Sequence, residues 1–122
     1  MTFELLRRYR FEAAHHLPQV AAGHRCARLH GHTYDVEVVI CGALNNEAGW
    51  VMDYAEIDGV VEPLIDALDH QYLNDVGGLE NPTSEHVAQW LWERLVGDLP
   101  ALSAVRVAEN ADSVCTYRGE DW

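Results

Sequence analysis

Three histidines in the first third of the chain have side chains and spacing suited to holding a metal ion. His30 and His32 flank Gly31, so in an extended strand their imidazoles would lie on one face, about 7 Å apart. His15 ends an earlier segment, on the face that carries that segment's apolar residues. A His-x-His pair alone is also typical of core or solvated histidines, but a third inward-facing histidine favours a metal. Three neutral imidazoles with an open fourth position form a known catalytic zinc set, so we predict Zn²⁺ as the cofactor.

A cysteine lies close to this predicted site. Cys26 precedes His30 by four residues and has Arg25 and Arg28 on either side. Nearby cations lower a thiol pKa and favour the thiolate. Cys26 could therefore be a fourth zinc ligand that closes a structural site, or a base beside an open metal. The spacing does not decide between them. Arginine suits bidentate phosphate recognition, so Arg25 and Arg28 are also candidates for binding an anionic group.

Two further groups could take part in acid–base chemistry or in binding. Asp69 and His70 are adjacent, and a carboxylate can orient an imidazole and stabilise its charged form. Sequence neighbours seldom bond side chain to side chain, so a helix-end cation on the macrodipole is an equal alternative. Glu109 ends a predicted strand on its apolar face, where a carboxylate is costly unless paired. It could bind the adjacent N–H donors of a ligand, or turn to solvent.

Alternating side-chain types predict the strands that must position these residues. A period of two indicates a half-buried strand. The pattern predicts four strands, at residues 3–15, 30–41, 102–109 and 113–118.

Apolar residues at helical spacing predict two helices between the second and third strands. Asp53 is typical of an N-cap for the first helix, and Pro63 should kink or weaken it. Asn81 and Pro82 suit the cap and first turn of the second helix, and Gly97 suits its end. The order β-β-α-α-β-β predicts an α+β fold, with a four-stranded antiparallel sheet and both helices on one face. The two open edges must be covered or paired, and closing several sheets into an oligomeric β-barrel is one solution.

Composition limits the classes of protein to which the chain can belong. Its 122 residues fit one domain, residues 1–122. The formal net charge of −12 argues against nucleic acid as a partner. No apolar run approaches the roughly 20 residues that span a membrane, and no signal peptide is visible. Three cysteines at no disulfide spacing indicate free thiols, so we expect a cytoplasmic protein.

The motifs together resemble those of the 6-pyruvoyl tetrahydropterin synthase family. They are Phe11-Glu12-Ala13-Ala14-His15, Cys26-x3-His30-Gly31-His32, Leu68-Asp69-His70, Asn81-Pro82-Thr83-Ser84-Glu85 and Glu109. They occur in the family's order over nearly the whole chain. The short spacing from Cys26 to His30 is similar to that of the bacterial 6-carboxytetrahydropterin synthases of queuosine biosynthesis.

The resemblance implies a fold, an assembly and residue roles. It implies the tunnelling fold, in which trimers form a twelve-stranded barrel and two trimers stack into a hexamer with active sites between subunits. His15, His30 and His32 would bind zinc, and Cys26 would be the catalytic thiol. Asp69 and His70 would relay protons, and Glu109 would anchor the pterin.

The resemblance also implies a reaction. It is the conversion of 7,8-dihydroneopterin triphosphate to 6-carboxy-5,6,7,8-tetrahydropterin, a lyase reaction that releases acetaldehyde and triphosphate. A pyruvoyl synthase, which stops after triphosphate elimination and internal redox transfer, is the alternative enzyme. A zinc-stabilised binding module without turnover is the alternative of another class.

Overall fold

The computed structural model describes residues 2–120, which form two helices and a five-stranded sheet. The elements in chain order are β1 (Phe3–His15), β2 (His30–Gly42), α1 (Tyr54–Leu68), β3 (Gln71–Tyr72), α2 (Ser84–Leu95), β4 (Leu102–Asn110) and β5 (Ser113–Tyr117). The four strands predicted from alternation are confirmed, with ends that move by one residue at most. Short 3-10 turns occupy Arg25–Ala27 and Leu73–Asp75.

The two long strands form the centre of the sheet. β1 and β2 pair antiparallel without a break, from Phe3 opposite Gly42 to His15 opposite His30. β4 pairs with β2, and β5 pairs with β4, both antiparallel. The order across the sheet is β3-β1-β2-β4-β5.

The predicted four-stranded antiparallel sheet is wrong in one respect, because a fifth strand runs parallel to β1. β3 places Gln71 opposite Ala13 and Tyr72 opposite Ala14. Two residues are too few to show alternation, so the pattern could not reveal this strand. The sheet is therefore mixed, and it is open in the described chain.

Both predicted helices are present, but the second begins later than expected. Asp53 caps α1 by accepting a hydrogen bond from Ala55 N–H at 2.9 Å, and the helix continues through Pro63. The N-cap of α2 is Thr83, whose hydroxyl accepts from His86 N–H at 3.2 Å. The expected cap at Asn81 and Pro82 is wrong because the carbonyl groups of those residues bind side chains instead.

The core lies between the helices and one face of the sheet. Phe11 of β1 stacks on Tyr34 of β2 with ring centroids 4.7 Å apart, and both are buried beneath the helices. The opposite face carries charge pairs such as Arg10 with Asp35 at 2.9 Å. Neither helix among residues 2–120 is long and apolar enough to cross a membrane.

Candidate metal centre and active site

The pairing of β1 with β2 brings the three predicted ligands together at one end of the sheet. His15 lies opposite His30, and His32 lies opposite Ala13 on the same face. The ring centroids are 4.5 Å apart for His15 and His30, 5.0 Å for His15 and His32, and 4.9 Å for His30 and His32. One nitrogen from each ring lies within 4.8 Å of the other two. This spacing is suited to three ligands converging on one ion.

Backbone carbonyl groups determine which ring nitrogens can bind a metal. His15 Nδ1 lies 2.8 Å from Pro82 O, and His30 Nδ1 lies 2.7 Å from Arg28 O. A carbonyl oxygen only accepts, so each Nδ1 carries a hydrogen and leaves the Nε2 lone pair free. Metal-bound histidines usually donate their other N–H to such a group.

Two ring nitrogen atoms of the histidine cluster are buried without a hydrogen-bond partner. Among residues 2–120, His15 Nε2 and His32 Nε2 have no hydrogen-bond partner. Leaving a buried polar atom unpaired costs about 1–3 kcal/mol. A metal ion between the rings would satisfy these atoms, so the residues present fit a metal.

The buried ligand His15 has a second neighbour in Tyr34. The Tyr34 hydroxyl lies 3.1 Å from His15 Nδ1 and is fully buried. Because the same Nδ1–H donates to Pro82 O, the Tyr34 oxygen acts as a second acceptor. Burial lowers the pKa of His15, so its imidazole is neutral at neutral pH, the form that binds metals. The sequence did not predict that Pro82 and Tyr34 contact His15, because backbone and packing contacts leave no pattern in the sequence.

Cys26 lies beside the cluster but is not a member of it. The group of metal-capable atoms in the described residues contains the three histidines and no cysteine. Cys26 lines a cavity of about 430 Å³, whose walls are Arg25, Cys26, His30, His32, Glu109 and Asn110. His24 Nδ1 accepts from Cys26 N–H at 3.0 Å and fixes the turn that carries the thiol.

Glu109 faces this cavity, which agrees with one of the two alternatives that its strand position left open. Its Oε2 lies 3.6 Å from His32 Nε2, and its Oε1 accepts from the Ser84 hydroxyl at 2.8 Å. Ser84 begins α2, and the sequence reasoning did not assign it this contact. One carboxylate oxygen is thus fixed by the helix, while the other lies beside the metal cluster.

Asp69 and His70 form a side-chain pair although they are adjacent in sequence. His70 Nδ1 lies 3.0 Å from Asp69 Oδ1, which also accepts from Glu12 N–H at 2.9 Å. The Glu12 N–H, followed by His70, lowers the pKa of Asp69. The backbone of His70 is left-handed, with φ of +58°. Of the two alternatives that the sequence left open, the structure shows the contact between the two side chains.

The Asp69–His70 pair lies away from the thiol. His70 lines a different cavity of about 540 Å³, formed with the adjoining ends of β1, β2 and β3. Of the residues assigned to the cluster, only His32 borders both this cavity and the one that contains Cys26. One chain, over its described residues, does not bring Cys26 and His70 into one cavity.

Several arginines are held by carboxylates, whereas the two beside Cys26 are not. Carboxylates of the described chain contact Arg7, Arg8, Arg10 and Arg106. Arg25 and Arg28 have no such partner among residues 2–120, and both are exposed beside the cluster. They are the arginines that the sequence had placed next to Cys26.

His16, the neighbour of the buried ligand, is held away from the cluster. Its Nδ1 bonds to the Tyr72 hydroxyl, and the two rings stack at 5.9 Å. This placement agrees with the strand-face assignment of His15 as the inward residue.

Comparisons with known proteins agree with this geometry. The family model described as 6-pyruvoyl tetrahydropterin synthase matches residues 4–120. A 6-carboxy-5,6,7,8-tetrahydropterin synthase from Synechocystis is 38% identical over 119 residues, covering 93% of this chain and 91% of the relative. A dihydroneopterin monophosphate aldolase from Pyrococcus furiosus is 36% identical over 100 residues, covering 82% of this chain and 81% of the relative. The structure of the 6-pyruvoyl tetrahydropterin synthase of Caenorhabditis elegans superimposes with a TM-score of 0.91 at 26% identity, over 98% of this chain and 97% of that one.

Proposed function

Because the chain belongs to the 6-pyruvoyl tetrahydropterin synthase family, we propose that it is a zinc-dependent 6-carboxytetrahydropterin synthase of queuosine biosynthesis. It converts 7,8-dihydroneopterin triphosphate and one water to 6-carboxy-5,6,7,8-tetrahydropterin, and it releases acetaldehyde and triphosphate. One observation carries the proposal. Two Nε2 atoms of a three-histidine cluster have no hydrogen-bond partner, and they lie beside a cavity that also contains a thiol and a carboxylate.

His15, His30 and His32 would hold the zinc ion through their Nε2 atoms. When bound, the ion would supply Lewis-acid chemistry that polarises substrate oxygens and acidifies neighbouring C–H and O–H groups. The carbonyl oxygens of Pro82 and Arg28 keep two of these rings in the tautomer that leaves Nε2 free.

Cys26 serves as a base and not as a fourth ligand. Its absence from the ligand group supports this role, as does its place in the wall of the same cavity. As a base, the Cys26 sulfur takes a proton from the side chain of the pterin.

Asp69 orients His70 for proton transfer on another side of the substrate. Asp69 accepts from the Nδ1–H of His70, which leaves Nε2 to accept or deliver a proton. Cys26 and His70 line different cavities within one chain, and a second copy could bring the two residues to one substrate. This supports a homo-oligomer with active sites between subunits, and we propose the hexamer.

Glu109 and the free arginines hold the two ends of the substrate. A carboxylate on the cavity wall can accept two parallel hydrogen bonds from the amino edge of a pterin. Arg25 and Arg28 bind the triphosphate, and the lack of a carboxylate partner for either arginine in the described chain supports this role.

The test is to incubate the purified protein with 7,8-dihydroneopterin triphosphate and, separately, with the monophosphate. Mass analysis should find 6-carboxytetrahydropterin, acetaldehyde and triphosphate from the triphosphate. A pyruvoyl product would identify the alternative enzyme, and turnover of the monophosphate alone would favour an aldolase. No turnover of either substrate by zinc-loaded protein would favour a binding module.

Metal content and mass test the rest of the proposal. His30→Ala and His32→Ala should each lose roughly stoichiometric zinc, because a three-ligand site cannot spare one ligand. Full zinc retention in both variants, measured by atomic absorption, would remove the metal assignment. Light scattering should give a mass several times the 13.7 kDa of one chain. An active monomer would rule out the shared site.

A further inference from the structure

The end of β1, which carries the buried ligand His15, is held by the side chain of Asn74. The sequence predicted no role for Asn74. β1 ends at His15, and the next residue is His16. Asn74 Oδ1 accepts from His16 N–H at 3.0 Å, and Asn74 Nδ2 donates to His16 O at 2.9 Å. One carboxamide therefore satisfies both backbone polar groups of one residue, as a neighbouring strand would.

The local chain path explains why a side chain performs this task. β3 pairs with β1 only at Ala13 and Ala14, and the chain then enters the 3-10 turn Leu73–Asp75. Its backbone can no longer follow β1. Asn74 lies in that turn. Its carboxamide continues the hydrogen bonding along the chain from Ala14 to His16, the residue after the ligand His15.

The same carboxamide contacts the segment that fixes the ligand ring. Asn74 Nδ2 also donates to Glu80 O at 3.4 Å. Two residues later, Pro82 O accepts from His15 Nδ1 at 2.8 Å. Asn74 thus joins the strand that supplies the ligand to the loop that sets the tautomer of that ligand.

We propose that Asn74 is a positioning residue for the metal centre. It holds the backbone of His16 and Glu80 so that His15 Nε2 points at the other two histidines. The inference rests on the proposed metal site, and it adds a residue that contacts neither the metal nor the substrate.

The experiment compares two variants of Asn74 with a matched asparagine elsewhere. Asn74→Asp keeps the size and the acceptor for His16 N–H, but its carboxylate cannot donate to His16 O or Glu80 O. Asn74→Ala removes all three contacts. The control is Asn45→Ala, which loses comparable bonds to Glu47 N–H at 2.9 Å and Ala48 N–H at 3.3 Å in an exposed turn.

Three measurements separate positioning from general stability. They are the zinc dissociation constant by chelator competition, the visible spectrum of the Co²⁺-substituted protein, and the melting temperature without metal. Loss of a group that hydrogen-bonds a metal ligand directly typically weakens metal affinity about 10–100-fold. Asn74 acts one contact further away, through His16 and Glu80, so we expect zinc affinity to fall about 10-fold in both Asn74 variants, with an altered Co²⁺ spectrum. Asn45→Ala should keep wild-type affinity and spectrum even where its melting temperature falls equally.

Two results would overturn the inference. One is a zinc affinity within twofold of wild type in both Asn74 variants, and the other is an equal loss of affinity in Asn45→Ala. If His30→Ala still loses zinc in that experiment, the metal site stands and only the role of Asn74 fails. If His30→Ala keeps its zinc, the metal site and the role of Asn74 both fail.

Discussion

Replacing Asp58 with asparagine should remove a pH-dependent part of the stability of the fold. Asp58 lies on α1 and accepts two hydrogen bonds from Arg7, at 2.9 and 2.7 Å, and one from the Tyr9 hydroxyl at 2.6 Å. These bonds, those from Arg7 first, lower the pKa of Asp58 from 3.8 to about 2. They also explain why Arg7 interrupts the apolar face of β1.

The magnitude follows from the shift in the pKa and from exposure. A shift of one pKa unit is worth about 1.4 kcal/mol, which gives an upper limit of about 2.5 kcal/mol. The side chain of Arg7 is 42% exposed and that of Asp58 is 19% exposed, so solvent screening reduces the contribution. We expect about 1–2 kcal/mol at neutral pH.

The direction of the pH dependence is fixed by the sign of the shift. The pKa of Asp58 is lower in the folded chain than in the unfolded chain. The stabilisation is therefore complete above the unfolded pKa of 3.8 and disappears as pH falls through about 2. Other carboxylates titrate in the same range, but they do so in both proteins and cancel in the difference.

The assay is urea unfolding of wild type and Asp58→Asn at pH 7, 5, 4, 3 and 2.5, at one protein concentration. The difference in free energy of unfolding should be largest at pH 7 and should narrow below pH 4. A difference that stays constant over this range would refute the electrostatic origin. A variant as stable as wild type at pH 7 would show that the charge of Asp58 contributes nothing to stability.

Three further experiments test the metal centre and the thiol. Tyr34→Phe keeps the buried ring but removes one acceptor of His15 Nδ1–H, so zinc affinity should fall about 10-fold. The matched control, Tyr9→Phe, should lower stability without changing zinc affinity. Equal zinc affinities of Tyr34→Phe and wild type would exclude a role for the Tyr34 hydroxyl. Cys26→Ala should fold and keep zinc while turnover falls about 10²–10⁴-fold; loss of zinc and melting temperature together would instead identify a structural fourth ligand. His15→Ala should lose zinc and His16→Ala should retain it, and the opposite result in metal analysis would invert the strand-face assignment.

The strands and the ligands could be predicted because each has a repeating signal. Alternation along residues 3–15 and 30–41 placed His15, His30 and His32 on one face, and the pairing of β1 with β2 brought them together. Glu109 was predicted in the same way. In each case the position in the strand determines the direction of the side chain.

The supporting contacts could not be predicted because they depend on single backbone groups. The carbonyl of Pro82 and the carboxamide of Asn74 act where the chain is irregular, and no period marks such positions. The late start of α2 has the same origin, since Asn81 and Pro82 use their carbonyl groups elsewhere. The contact of Asp69 with His70 required a left-handed backbone, which histidine adopts only occasionally.

That left-handed residue has a consequence for laboratory evolution. A non-glycine side chain at φ of +58° costs about 1 kcal/mol, and glycine would remove the cost. The backbone bond from His70 N–H to Glu12 O would survive the change, because it needs no side chain. A library screened for heat resistance alone should therefore enrich His70→Gly. If the imidazole of His70 relays protons as proposed, the enriched variants would be more heat-resistant but inactive. Such a screen must therefore measure catalytic activity from its first round.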